Sequence, residues 1–209
     1  MERERVTISI KKQLLRIVDK TIDGVSVRNR SHAVEELITK ALNLGDIKTA
    51  VVLIGGEDAL KTISSVSSGL LELSKNGFSD VYVAVGFLAD EIKEKLGDGK
   101  DFGLKLHYAE GGEGTGGALL SLKKHLSQTF VVLNLTTENI SYDLSRLLAF
   151  HKSHSSEATV VTNDLSDMRG IYILEPIILA QIPKGFSMLE DDVFPKLAKE
   201  NKLVVHPIS

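Results

Sequence analysis

From Arg5 to Ile10 the chain alternates strictly, with Val6, Ile8 and Ile10 apolar and Arg5, Thr7 and Ser9 polar. Successive strand side chains point to opposite faces, so the pattern predicts a short strand with one dry and one hydrogen-bonding face. A lone strand is not stable in water. The next strand pattern begins only at Ala50, so the expected partner is the same strand of a second copy, antiparallel about a twofold axis. Lys12 to Asp23 then carries Leu14, Leu15, Ile17, Val18 and Ile22 at helical spacing, ending before Gly24. A second helix is expected from Ser31 as N-cap, with Glu35 and Glu36 in its early turns. It should bury Val34, Leu37, Ile38, Ala41 and Leu42 and stop at Asn43–Gly45.

Beyond the short joint Gly45–Lys48 the pattern changes to alternating strands and helices. Strands are expected at Ala50–Ile54, Asp80–Val85, Leu104–Tyr108, Phe130–Asn134, Ala158–Thr162 and Gly170–Leu174, with a weak one at Leu203–His206. Helices are expected near Ser65–Asn76, Ala89–Leu96, Gly116–His125, Tyr142–His151 and Met188–Glu200, the last opened by a capping box, Ser187-Met-Leu-Glu190. Such Val/Ile/Leu-rich strands separated by helices predict a mostly parallel sheet covered on both faces. Two domains follow, residues 1–46 and 49–209.

Composition changes this picture little, and charge somewhat more. The 209 residues are 43% hydrophobic, which suits a globular chain. There is no cysteine, which removes disulfides and thiolate metal sites. No apolar run approaches the roughly 18 residues of a membrane span, and Met1–Arg5 lacks the apolar core of a secretory signal, so a cytoplasmic location is expected. Net charge is −3, yet residues 1–34 hold eight Lys/Arg against four Asp/Glu and stand at +4, leaving −7 for the rest. A basic head on an acidic body points to a local polyanion-binding surface.

The strand-helix-turn-helix order, the alternation Arg5–Ile10 and Asn29-Arg-Ser31 at the second helix resemble the ribbon-helix-helix DNA-binding family over residues 3–44. The resemblance implies an intertwined dimer whose two-stranded ribbon enters the major groove of double-stranded DNA. Arg5, Thr7 and Ser9 would then read base edges. Arg30, Ser31 and His32 would hold a phosphate at the helix start, with Lys11, Lys12 and Arg28 as further phosphate contacts.

The run Glu110-Gly-Gly-Glu-Gly-Thr-Gly-Gly-Ala118 lies between a strand and a helix. Gly112, Gly114 and Gly117 satisfy G-x-G-x-x-G, but the run follows the third strand of the sheet and lacks the acidic residue of a dinucleotide site. No Gly-Lys-Ser/Thr follows, so it is not a P-loop. What remains is a set of small residues, Gly112, Gly114, Thr115, Gly116 and Gly117, that lets a ligand approach the backbone at a helix N-terminus.

Ala50-Val-Val-Leu-Ile-Gly-Gly56, Asn76–Phe87, Gly114-Thr-Gly-Gly-Ala-Leu119, Phe130–Asn134 and Glu190-Asp-Asp-Val-Phe-Pro195 resemble the sugar-phosphate nucleotidyltransferases. That resemblance implies a Rossmann-like α/β/α sandwich, an NTP, a sugar 1-phosphate and Mg²⁺. This sequence departs from the family pattern in four places. The loop Gly55–Lys61 has neither the Arg nor the Pro-Lys-Pro segment. Leu135, Thr136 and Thr137 stand where the metal-binding Asp is expected. The Glu-Lys sugar segment is missing between Val161 and Gly170, and the second metal Asp is not reached before Ser209.

The sequence therefore leads to a definite expectation. It is a dimeric, or tetrameric, DNA-binding transcriptional regulator, not an enzyme and without cofactor, whose inactive C-terminal domain senses a nucleotide or sugar-phosphate effector or mediates assembly. The alternatives are an active sugar-phosphate nucleotidyltransferase and an antitoxin- or partition-type module that binds a partner. His151 and His154 are expected as surface histidines favoured by a helix end, and Glu190-Asp191-Asp192 as solvated residues matching a helix dipole.

Overall fold

A computed structural model describes residues 6–25, 27–41, 47–56, 58–86, 88–134, 142–162 and 170–207. The chain divides into two compact units, Met1–Asp46 and Ile47–Ser209.

In the first unit, α1 spans Lys12–Asp19 and α2 spans Arg30–Ala41. The alternation at 6–10 forms no strand within the chain; Val6 and Ile8 are exposed, and Arg5 lies outside the described residues. Asn29, one residue earlier than the helix start and two before the expected Ser31, caps α2: its Oδ1 accepts from the His32 N–H at 3.0 Å. Ser31 sits inside the helix instead. The expected apolar stripes also remain open. Leu14, Ile17, Leu37 and Ile38 are exposed, and Val18 and Ala33 are the buried apolar residues among those described in this unit.

The second unit is a seven-stranded sheet. Its strands are β1 (Thr49–Ile54), β2 (Asp80–Val85), β3 (Lys105–Glu110), β4 (Phe130–Leu133), β5 (Ala158–Val161), β6 (Ile171–Leu174) and β7 (Leu203–His206), in the order β3-β2-β1-β4-β6-β5-β7. β6 runs antiparallel to both its neighbours; the other adjacent pairs are parallel. The sheet is thus mostly parallel. The faint pattern at Leu203–His206 does form a strand, because β5 offers it a parallel partner.

Both faces are covered, which is why the strands read as unbroken apolar runs. Along β1, Ala50, Val52 and Ile54 face one core, with Leu70 and Leu73 of α3 (Ile63–Lys75), Ile92 of α4 (Ala89–Leu96) and Leu147 of α6 (Leu144–His154). Val51 and Leu53 face the other, with Leu119 of α5 (Gly114–Ser121) and with Phe194 and Leu197 of α7 (Phe194–Lys199). Each such large side chain removed from water contributes about 1.5–3 kcal/mol. No helix of the described residues is long and apolar enough to cross a membrane.

The expected capping box at Ser187–Glu190 does not form. The residues open a single π-helical turn, Leu189–Val193, whose N-cap is Met188; the Met188 N–H donates to Asp192 Oδ2 at 2.9 Å. Glu190 is buried and used elsewhere.

Candidate functional site

Strand order reverses around β1, which has β2 and then β3 on one side and β4 on the other. In open α/β sheets this leaves a crevice at the carboxyl ends of the strands. A cavity of about 390 Å³ opens there. Its walls are Gly55 and Gly56 after β1, Gly86 after β2, Gly111 and Gly112 after β3, Gly114, Thr115 and Ala118 at the start of α5, Asn134 after β4, and Met188. No described lining residue carries a charge.

Of the residues expected to touch a ligand, Gly112, Gly114 and Thr115 line this cavity, whereas Gly116 and Gly117 are buried and do not. The glycines are required first by the protein itself. A Cβ on Gly112 would lie 2.2 Å from the Gly117 carbonyl oxygen, and one on Gly114 2.3 Å from that of Ser187; both residues also have positive φ. Loop and chain are clamped by two backbone bonds, Gly116 N–H to Ser187 O at 2.9 Å and Ser187 N–H to Glu113 O at 3.1 Å.

Beneath the cavity lies a polar network that the sequence reading misses. Glu190 Oε1 accepts from the Tyr172 hydroxyl at 2.6 Å and from Asn134 Nδ2 at 2.9 Å; Oε2 accepts from the Thr115 hydroxyl at 2.6 Å. The Thr115 oxygen in turn accepts from the Leu189 N–H at 2.8 Å. Three donors offset the cost of taking a carboxylate out of water. Burial, and then the adjacent Glu190 carboxylate, raise the Tyr172 phenol well above its ordinary range, so it stays a donor. The only signal in the sequence is Glu190 itself, and the local capping pattern hides it.

His151 is a core residue and not a surface histidine, only 3% exposed. Its Nδ1 lies 2.8 Å from Thr159 Oγ1 and its Nε2 3.2 Å from Glu175 Oε1. Its ring bond is the chief cause of the lowered Glu175 carboxyl, whose Oε1 also accepts from Thr129 at 2.9 Å. His154 is exposed, as expected.

Of the residues expected on DNA, Arg5 lies outside the described residues and the others belong to the first unit. Thr7, Ser9, Lys11 and Lys12 are exposed along a segment with no ribbon strand. Arg28, Arg30, Ser31 and His32 line a depression in the first unit, but the Arg30 guanidinium is forked onto Asp19 at 2.8 and 2.9 Å. His32 spends its N–H on Asn29 and receives the Arg28 N–H on Nδ1 at 3.4 Å.

No protein-family model matches the chain. It is 27% identical to a UTP–glucose-1-phosphate uridylyltransferase of Synechocystis sp., over 61% of this chain and 46% of the relative. It is 29% identical to a probable mannose-1-phosphate guanylyltransferase of Oryza sativa subsp. japonica, over 63% of this chain and 46% of the relative. The chain therefore spans less than half the length of these relatives. Among solved structures, HddC from Yersinia pseudotuberculosis superposes with a TM-score of 0.60 at 16% identity, over 77% of this chain and 90% of that one. Its complex with GMP-PN gives 0.58 at 18%. These likenesses show a nucleotidyltransferase-like α/β domain. They also correct two expectations: the relatives are named as nucleotidyl-transferring enzymes, not DNA-binding regulators, and not as inactive remnants.

Proposed function

We propose that the chain transfers a nucleotidyl group from a nucleoside triphosphate to a sugar 1-phosphate. The observation that carries this reading is the glycine-walled crevice at the carboxyl ends of β1, β2 and β4, where a backbone can approach a nucleotide closely. The uridylyl- and guanylyltransferase relatives and the GMP-PN bound by HddC support it. A phosphate oxygen of the sugar 1-phosphate attacks the α-phosphorus; a new P–O bond forms as the bond to the bridging oxygen breaks, and pyrophosphate leaves with the electron pair. Such chemistry depends on positioning and on donors aimed at the phosphoryl oxygens. Gly55, Gly56 and the Gly112–Thr115 turn supply backbone groups for this.

The family resemblance implies Mg²⁺. Among the described residues no carboxylate lines the cavity and no three Asp, Glu or His converge, while Glu190 is committed to three protein donors. A hard cation takes carboxylate and other oxygen ligands, so the described donor set does not fit one.

The test is pyrophosphate release from ATP, CTP, GTP and UTP, each with glucose 1-phosphate and mannose 1-phosphate and added Mg²⁺. Release that requires both substrates is the expected result. No release from any pair overturns the reading.

The first unit has a separate role in this proposal, as a self-pairing element. A unit of 46 residues is near the size at which a chain cannot bury enough surface alone. Val6, Ile8, Leu14, Ile17, Leu37 and Ile38, all exposed in one chain, are the residues a second copy covers.

A further inference from the structure

We infer that Glu190 is a positioning residue that acts through Asn134, holding that amide with Nδ2 on the carboxylate and Oδ1 left for the ligand. An ionised carboxylate can only accept hydrogen bonds. Glu190 Oε1 lies 2.9 Å from Asn134 Nδ2, and the Tyr172 hydroxyl oxygen lies 3.3 Å from the same nitrogen. Those two oxygens are themselves 2.6 Å apart, so a single amide proton points between them. Turning the amide over would set two oxygens against each other at that 2.9 Å separation.

The orientation is therefore dictated from below, and Oδ1 of this cavity-lining residue is turned away from the carboxylate. The tyrosine holds the carboxylate from one side at 2.6 Å and Thr115 from the other at 2.6 Å, so Glu190 cannot swing to another partner without breaking both. The same Thr115 sits on the glycine-rich wall, so one carboxylate sets the two polar side chains of the crevice at once. A ligand with a hydroxyl or amino donor at this place can bond Oδ1. For the ligand this inference rests on the nucleotide-site reading, and the donor then belongs to a nucleoside or sugar.

Two measurements separate the inference from that reading. In the free, ¹⁵N-labelled full-length protein, the Asn134 side-chain amide proton that faces Glu190 should exchange slowly with solvent and lose that protection in Glu190→Ala. Free exchange in the unmodified protein overturns the inference without reference to any ligand. Slow exchange with no binding of UTP or GTP leaves the orientation standing and overturns the nucleotide reading.

Calorimetric titration with UTP and GTP reads the coupling. Glu190→Ala and Asn134→Ala should each weaken binding about tenfold, and the double variant little further, because both remove the same oriented group. The exchanged pair Asn134→Asp with Glu190→Gln restores a donor facing an acceptor and should recover affinity that Asn134→Asp alone loses. Multiplying losses, or a Glu190→Ala protein that melts earlier but binds as before, would show a merely structural role and overturn the inference.

Discussion

The Tyr172 hydroxyl donates to Glu190 Oε1 at 2.6 Å and so joins β6 to the π-helical turn beneath the crevice. Tyr172→Phe removes that donor and leaves a buried carboxylate short of one bond. The expected cost is about 1–3 kcal/mol in urea unfolding, near the full penalty of an unmade buried bond. The phenol is raised in the folded chain, so the fold favours its neutral form. Stability from this group is whole below the unfolded tyrosine value of about 10 and falls as pH rises beyond it. Absorbance at the phenolate band should show an ionisation step that appears only on unfolding and that Tyr172→Phe diminishes.

Gly114 and Gly55 should respond in opposite ways to alanine. Gly114 has φ +74° and would bring a Cβ to 2.3 Å from Ser187 O, so Gly114→Ala should lose at least about 2 kcal/mol of stability. Gly55 lines the same crevice with nothing within 4 Å of an added Cβ. Gly55→Ala should therefore fold normally yet weaken nucleotide binding, because the methyl occupies ligand space. A melting curve and a titration on each variant check the pair.

Glu175 gives the second unit an acid-sensitive point. Its folded carboxyl is lowered, first by the bond from His151 and against the opposing effect of burial. A lowered value stabilises above the unfolded carboxyl value of about 4.3 and is lost as pH falls through the folded one. Chemical unfolding followed from pH 6 downward should show stability declining below about pH 4.3. Glu175→Gln should flatten that part of the curve.

The self-pairing proposal predicts concentration-dependent mass. Sedimentation of the full chain should show a dimer, and Leu14→Lys with Ile17→Lys should shift it to monomer while nucleotidyl transfer persists. Both side chains are more than half exposed in one chain, at 54% and 59%, so the change itself should not unfold the monomer. A monomer at all concentrations would reject the proposal.

The sheet was legible because buried strands are apolar on both sides. Ala50–Ile54, Asp80–Val85 and Phe130–Leu133 can be read as strands without any partner in view. The glycine run was legible as a turn, but its partners were not: Gly114 is needed for Ser187, far along the chain. Glu190 was misread for the same reason. Its local neighbours match a capping box, while its true partners lie 18, 56 and 75 residues away. Local pattern cannot price contacts of that span. The DNA reading failed differently. The relatives are nucleotidyltransferases by name, and the Arg30 expected at a phosphate is forked onto Asp19. The inactive reading rests on four departures from the family pattern, the loop arginine among them, although Gly55 and Gly56 still line the crevice.

Thr115 and Glu190 are 75 residues apart, so one wall of the crevice is closed by a segment made late. A ribosome delivers the chain from its N-terminus, at about 5–20 residues per second. For several seconds the emerging polypeptide therefore holds β1 to β4 and the glycine turn without Ser187 to seat them. The nascent protein can collapse early, but it acquires a competent crevice only when the region around Ser187–Glu190 has left the exit tunnel.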